Sequence, residues 1–239
     1  MATLSERQGL EAGIAALEGQ RALLGDAIVD SVLAPALEKL AALATGDLPP
    51  RISQKLKQVS ILFLDVVDST KLSQQLDPEE TSAVMDGVLA RASQAVGVHQ
   101  GKVLQFAGDS LLAAFGVDAS REDDSERAVR CGLSLLELGR VFGAEVQAAY
   151  GRTGFDVRVG IHTGDVLLGG GVGADGSIRG SAVNIAARME QTAPAGALRI
   201  SHDTYAHVRS LFEVDVQKPL LIKGIDEPVQ SYLGRALSS

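Results

Sequence analysis

The sequence predicts an α+β fold: an antiparallel-rich sheet with helices packed on one face, preceded by a helical N-terminal segment. Three observations lead there. Apolar residues recur at helical spacing through residues 1–50. After Pro50 the chain alternates between strand-like and helix-like stretches. A Gly108-Asp109 turn then separates two short apolar runs, as in a hairpin, and hairpins make antiparallel sheets.

In the first segment Leu10, Ile14, Leu17, Leu24 and Ile28 recur at three- and four-residue steps or their sums, the stripe of an amphipathic helix. Gly25-Asp26 and Pro35 argue against one unbroken rod, because proline removes a hydrogen bond and clashes inside a helix. The stripe fits a coiled-coil or docking helix that pairs two chains, and equally a helix folded onto its own domain. Asp47-Leu48-Pro49-Pro50 marks the boundary. Residues 1–50 are expected to form a regulatory or dimerising segment, and residues 51–239 the main domain.

In that domain Val59 to Val67 reads as an apolar strand interrupted by Asp65. Asp77-Pro78-Glu79-Glu80 is a helix start, with Asp as N-cap, Pro first and Glu third, and the helix runs toward His99. Lys102 to Phe106 and Ser110 to Phe115 form the hairpin, and a second helix runs from Asp123-Asp124 toward Tyr150. Val157, Val159 and Ile161 alternate with Arg158, Gly160 and His162, so Phe155 to Leu168 is extended. A glycine-rich loop from Gly169 to Gly180 precedes a helix over Ser181 to Met189, and short strands around one helical turn end the chain. Strand, helix, hairpin, helix, strand is a ferredoxin-like order.

Composition excludes several classes. Of 239 residues 46% are hydrophobic, enough for a substantial core. No apolar run approaches the roughly 18 residues of a membrane span. The first residues, Met1 to Arg7, carry neither the basic nor the apolar stretch of a signal peptide. The single cysteine, Cys131, permits no intrachain disulfide and suits a reducing cytoplasm. A net charge of -8 argues against a nucleic-acid partner, which needs clustered Lys and Arg. A nucleotide remains admissible, because metal ions can supply positive charge.

Asp65 stands out because it ends the apolar run Ile61-Leu62-Phe63-Leu64. A carboxylate there is costly unless it is paired, binds a metal or caps the next turn. Asp109, alone an ordinary turn residue, sits on a strand that can neighbour the first. Two converging carboxylates can hold two hard cations beside a triphosphate. Val66, Val67, Asp68, Ser69 and Thr70 lead from strand to helix, so their N–H groups can face an anion or serve as plain N-caps. Asn184 and Arg188, four apart on one helix, share a face that is either solvated or turned to a cleft, where they would orient a ribose and stabilise phosphate charge. Lys223 at a hairpin tip is solvated or reaches terminal phosphates. Gly169 to Gly176 lacks the Gly-Lys-Ser/Thr of a P-loop, and the four histidines show no metal-ligand spacing. His162 reads as a satisfied strand residue and Cys131 as core.

Three blocks, Phe63-Leu64-Asp65-Val66-Val67-Asp68-Ser69-Thr70, Gly108-Asp109-Ser110-Leu111-Leu112-Ala113-Ala114-Phe115-Gly116 and Val183-Asn184-Ile185-Ala186-Ala187-Arg188-Met189, resemble the signatures of class III adenylate and guanylate cyclases. Val157 to Asp165 and Leu221 to Ile225 are also similar to family segments, and the five stand in the family's order over roughly residues 55–234. The resemblance implies a cyclase that turns ATP into 3′,5′-cyclic AMP and pyrophosphate. It implies Asp65 and Asp109 as ligands of two Mg²⁺ or Mn²⁺ ions and the backbone of Val66 to Thr70 as a phosphate cradle. Asn184 would position the ribose, Arg188 stabilise the transition state and Lys223 hold the β- and γ-phosphates. It also implies a homodimer whose composite sites draw the aspartates from one chain and Asn, Arg and Lys from the other.

The purine-reading positions depart from the pattern. Adenylate cyclases usually carry Lys four residues before the second metal Asp, and Asp or Thr three before the glycine of the Asn-Arg helix; guanylate cyclases commonly carry Glu and Cys. Here the residues are Gln105 and Ser177. Gln donates and accepts, so GTP or dual specificity stands as the alternative to ATP. Asp68, where glycine is frequent, would repel a triphosphate unless it turns away or meets a metal. The other classes to weigh are a catalytically silent cyclase-like regulatory module and a plain ferredoxin-like binding domain. The joint presence of Asp65, Asp109, Asn184, Arg188 and Lys223 speaks against the first, and the second leaves the buried Asp65 unexplained.

Overall fold

The central strand, β1 (Lys55–Val67), is apolar on both faces over much of its length, which requires cover on both sides of the sheet. Its even-numbered Leu62, Leu64 and Val66 belong to one core, and its odd-numbered Val59 and Ile61 to another. The computed structural model describes residues 13–15, 19, 33, 55–169 and 178–235. The apolar positions Leu10, Leu17, Leu24 and Ile28, and the purine candidate Ser177, lie outside the described residues. The chain divides into two compact units, Met1–Ser53 and Gln54–Ser239, and every element below belongs to the second.

After β1 come α1 (Ser69–Ser73), α2 (Pro78–Val98), β2 (Lys102–Ala107), β3 (Ser110–Phe115), α3 (Asp124–Tyr150) and β4 (Asp156–Leu168). β5 (Ile178–Arg179), α4 (Ser181–Thr192), β6 (Leu198–Ser201), α5 (His202–Val208), β7 (Glu213–Val216) and β8 (Ser231–Arg235) complete it. The sheet order is β2-β3-β1-β4-β6-β8-β7, with β5 paired to β4. Every named pairing is antiparallel except β4 with β6. The mixed sheet and its helices are the fold class expected from the sequence.

α2 begins where expected. The Asp77 carboxylate accepts from the Glu80 N–H at 2.8 Å, and the Glu80 carboxylate accepts from the Asp77 N–H at 3.2 Å. This reciprocal box satisfies two donors that the first turn leaves open. α2 and α3 cover the even face of β1 with Val88, Ala92, Val129 and Leu135. Cys131 lies in the same core, and burial pushes its thiol up to about 12. Among the described residues no helix is long and apolar enough to cross a membrane.

One helix differs from the expectation of a single covered face. α4 lies on the opposite side, where Ala182 and Ala186 pack on Val59, Ile61 and Val166. The contact is close because Gly160 of β4 has no side chain. A Cβ there would stand 1.9 Å from the Glu190 backbone nitrogen and 2.5 Å from its Cα. β5 was also unforeseen: two residues pair with Leu167 and Leu168, a contact that no local periodicity announces.

His162, on the α4 side of β4, is buried and satisfied, as the sequence suggested. Its Nδ1 is 2.7 Å from the Ser201 hydroxyl. Burial pushes its pKa from 6.5 down to about 4, against a weak opposing effect from Asp203.

Two measurements check this packing. Gly160→Ala should lower the urea-unfolding free energy by about 2 kcal/mol or more, since overpacking against backbone has no side chain to yield. His162 stays neutral when folded and charges when unfolded, so its contribution is intact above pH 6.5 and is lost as pH falls toward about 4. Across that window wild type should lose stability relative to His162→Gln, by at most about 1.4 kcal/mol per pH unit. Parallel profiles would contradict the assignment.

Candidate active site

Strand register builds the site. Asp65 of β1 is paired with Ser110 of β3 on one side and with Arg158 of β4 on the other. Directly opposed residues share a face, so three polar side chains stand in one row across three strands. The Ser110 hydroxyl donates to Asp65 Oδ1 at 2.8 Å. Arg158 donates to Asp65 Oδ2 from Nε at 3.0 Å and from Nη2 at 2.6 Å. Asp65 is only 15% exposed, and Arg158 supplies its counter-charge.

Asp109 comes from the β2–β3 turn, where Gly108 takes a left-handed φ of 62°. Glycine adopts that conformation without steric cost. The Asp109 carboxylate accepts a short hydrogen bond from the Ser69 hydroxyl at the start of α1. The two carboxylates and the segment between strand and helix converge as anticipated. Asp65, Val66, Val67, Asp68, Ser69, Thr70, Lys71, Asp109 and Arg158 line one cleft of about 480 Å³. A larger cavity of about 740 Å³, bordered by the Glu137–Arg140 ion pair, Phe155 and Gly196, contains none of the candidate residues.

Asp68 resolves in part. Its backbone is left-handed at φ 56°, and its carboxylate is 2.8 Å from Lys71 Nζ. Both groups are exposed, so the pair adds little stability. It does give the Asp68 charge a partner at the cleft mouth.

Arg158 and Glu190 were missed by the sequence reading. Glu190 is on the buried side of α4, with its side chain 10% exposed and Oε1 2.6 Å from Arg158 Nε. Burial pushes its carboxyl up to about 7; Arg158 opposes this, while Asp65 and Asp109 add to it. Burial works against the Arg158 charge, but the hydrogen bond to Asp65 and the charges of Glu190 and Asp65 hold its pKa above the ordinary value. The available signal was weak: Glu190 falls on the apolar stripe of α4, beside Met189 and Ala186.

The remaining candidates stand elsewhere. Asn184 and Arg188 are exposed, on the side of α4 away from its buried residues, and Lys223 is exposed in the turn between Leu220 and Val229. None of the three lines the aspartate cleft. Their side chains make no hydrogen bond or ion pair with another described residue. Gln105 is exposed on β2, opposite Leu112, which in turn pairs with Phe63. It therefore shares the face that carries Asp65.

Among the described residues no cluster of three or more His, Cys, Asp or Glu side chains could hold a metal. Two carboxylates in an open cleft suit a hard cation of the Mg²⁺ type, which binds through one or two carboxylates and fills its shell with water and phosphate oxygens. Both aspartates are already held by hydroxyl donors, so little side-chain freedom is left to lose.

Comparison with known proteins bears on this geometry. The profile for the adenylate and guanylate cyclase catalytic domain matches residues 52–234. Adenylate cyclase 1 of Rhizobium meliloti (strain 1021) is 34% identical over 138 residues, which is 56% of this chain and 20% of that protein. The crystal structure of the adenylyl cyclase CyaB from P. aeruginosa superposes with a TM-score of 0.75 at 26% identity, covering 78% of this chain and 98% of that one. The guanylyl cyclase Cya2 superposes at 0.72 and 27%, covering 77% and 94%. The chain spans 20% of the first of the curated relatives it matches and 50% of the second.

Proposed function

The chain belongs to the class III adenylate and guanylate cyclase family, and from that premise we propose that it converts ATP to 3′,5′-cyclic AMP and pyrophosphate at the interface of a homodimer. The observation that carries the proposal is the division of the candidate residues. Asp65 and Asp109 share a cleft with the Val66 to Thr70 segment. Asn184, Arg188 and Lys223 are exposed outside it, and their side chains make no hydrogen bond or ion pair with another described residue. A single chain thus presents two incomplete halves, which a two-fold partner would complete twice.

In this reading residues 51–239 are the catalytic domain and residues 1–50 a dimerising or regulatory segment. Asp65 and Asp109 hold two divalent cations. When bound, Mg²⁺ or Mn²⁺ supplies Lewis acidity that eases loss of the 3′-hydroxyl proton and neutralises charge on the triphosphate. The N–H groups of Val66, Val67, Asp68, Ser69 and Thr70 face the phosphates. From the partner, Asn184 fixes the ribose so that the 3′-oxygen lies in line with the α-phosphorus. Arg188 stabilises charge gathering on that phosphate in the transition state, and Lys223 binds the β- and γ-phosphates. Gln105 and Ser177 read the purine. The relatives at 34% and 26% identity are adenylate cyclases and the one at 27% is a guanylyl cyclase, so purine choice rests on Gln105, whose amide can pair with either edge, together with the Ser177 hydroxyl.

Purified protein incubated with Mn²⁺ should form cyclic AMP from ATP faster than cyclic GMP from GTP. Absence of product from both would leave the silent regulatory module as the better reading. Asp65→Ala and Arg188→Ala should each inactivate the homodimer. An equal mixture that exchanges subunits should recover roughly a quarter of wild-type activity, because half the dimers are mixed and each holds one intact site. No recovery, with subunit exchange shown by a mass-tagged chain, would sink the composite site.

A further inference from the structure

Arg158 lies between two carboxylates that it does not serve equally. Its Nε carries one N–H, and that N–H is committed to Asp65 Oδ2 at 3.0 Å. Glu190 Oε1 is nearer the same nitrogen, at 2.6 Å, as an ion pair that does not meet hydrogen-bond geometry. This buried oxygen accepts no hydrogen bond from any described residue. A buried carboxylate oxygen without a donor is costly, and here a donor is already in contact and turned the other way.

No other described residue donates to Glu190 Oε1. The Glu190 backbone is seated directly on Gly160, close enough that not even a Cβ would fit between helix and sheet. Its neighbours on the buried side of α4, Ile185, Ala186 and Met189, are apolar. A small rotation of the guanidinium away from Asp65 would give Glu190 its hydrogen bond and free the Asp65 oxygen.

We propose that Glu190 is a positioning residue that takes Arg158 over from Asp65 when a divalent cation enters the carboxylate pair. It rests on the reading of Asp65 and Asp109 as metal ligands and adds a function for two residues outside that set. Without the cation, the guanidinium neutralises Asp65 and keeps its carboxylate aimed into the cleft. With the cation, Asp65 no longer requires Arg158, and Glu190 holds the displaced guanidinium at the cleft wall. An alternative carboxylate within contact distance lowers the cost of that displacement.

The test is Mn²⁺ binding to the full chain without nucleotide, followed by the electron paramagnetic resonance signal of free Mn²⁺, with thermal unfolding to verify folding. Glu190→Gln leaves Arg158 with Asp65 as its sole carboxylate, so Mn²⁺ should bind about tenfold more weakly, the scale of one charge-assisted hydrogen bond. The double variant Arg158→Met/Glu190→Gln removes both charges and avoids a buried unpaired one. It should bind Mn²⁺ more tightly than wild type, because no guanidinium competes for Asp65. If Glu190 acted only through its own charge, the double variant would match wild type, since a positive and a negative charge are lost together. Unchanged affinity in Glu190→Gln, or a double variant no tighter than wild type, overturns the proposal. Should the single substitution not fold, the double variant decides alone. Wild type that binds no Mn²⁺, as judged against Asp65→Asn/Asp109→Asn, overturns the metal reading and this proposal with it. Mn²⁺ bound normally by wild type but insensitive to Glu190 overturns this proposal only.

Discussion

A carboxylate near the end of a buried strand needs an answer in positive charge or hydrogen bonds, and much of the unit Gln54–Ser239 is arranged around that need at Asp65. β1 places the side chain on the face opposite the α2–α3 core, and the neighbouring strands set Ser110 and Arg158 beside it. The desolvation cost of the acid is thereby met by one hydroxyl and one guanidinium. Moving β3 by one residue would turn Ser110 to the wrong face, and moving β4 would do the same to Arg158. The register that closes the core is thus also the register that builds the site.

α4 is the second organising element because its two sides have different tasks. The buried side rests on Gly160 and delivers Glu190 to Arg158. The exposed side presents Asn184 and Arg188. On the same sheet face α4 leaves Phe63 and Leu112 half-buried and Gln105 exposed. In the proposed dimer that partly covered area is where a second chain's residues would arrive. In that proposal one helix would serve the candidate metal carboxylate of its own chain from below and the partner's nucleotide from above.

Legibility in the sequence followed the range of the interactions. The α2 capping box, the Gly108-Asp109 turn and the alternation along β4 are contacts among near neighbours, so spacing alone announced them. Asp65 and Asp109 were conspicuous because an acid in an apolar run violates its local pattern. Arg158 violated no local pattern, and Glu190 gave only a weak signal, one residue past the helix expected over Ser181 to Met189. An arginine in an alternating strand reads as solvent-facing, and a glutamate near a helix end reads as surface. Only the pairing of β4 with β1 and the seating of α4 on Gly160 bring the two together.

By itself the sequence determined the family, through two acids, a strand-to-helix segment and an Asn-Arg pair in an order resembling class III cyclases. It determined as well most of the elements that carry them, since these depend on periodicity and capping over a few residues. The tertiary structure alone decided that α4 lies across the sheet from α2 and α3. It alone decided that Asn184, Arg188 and Lys223 stay outside the aspartate cleft of their own chain. It decided too that Asp65 and a buried glutamate share one guanidinium. The physical reason is that charge pairing acts over a few ångströms of space, and the residues concerned lie far apart in the chain until the strands align.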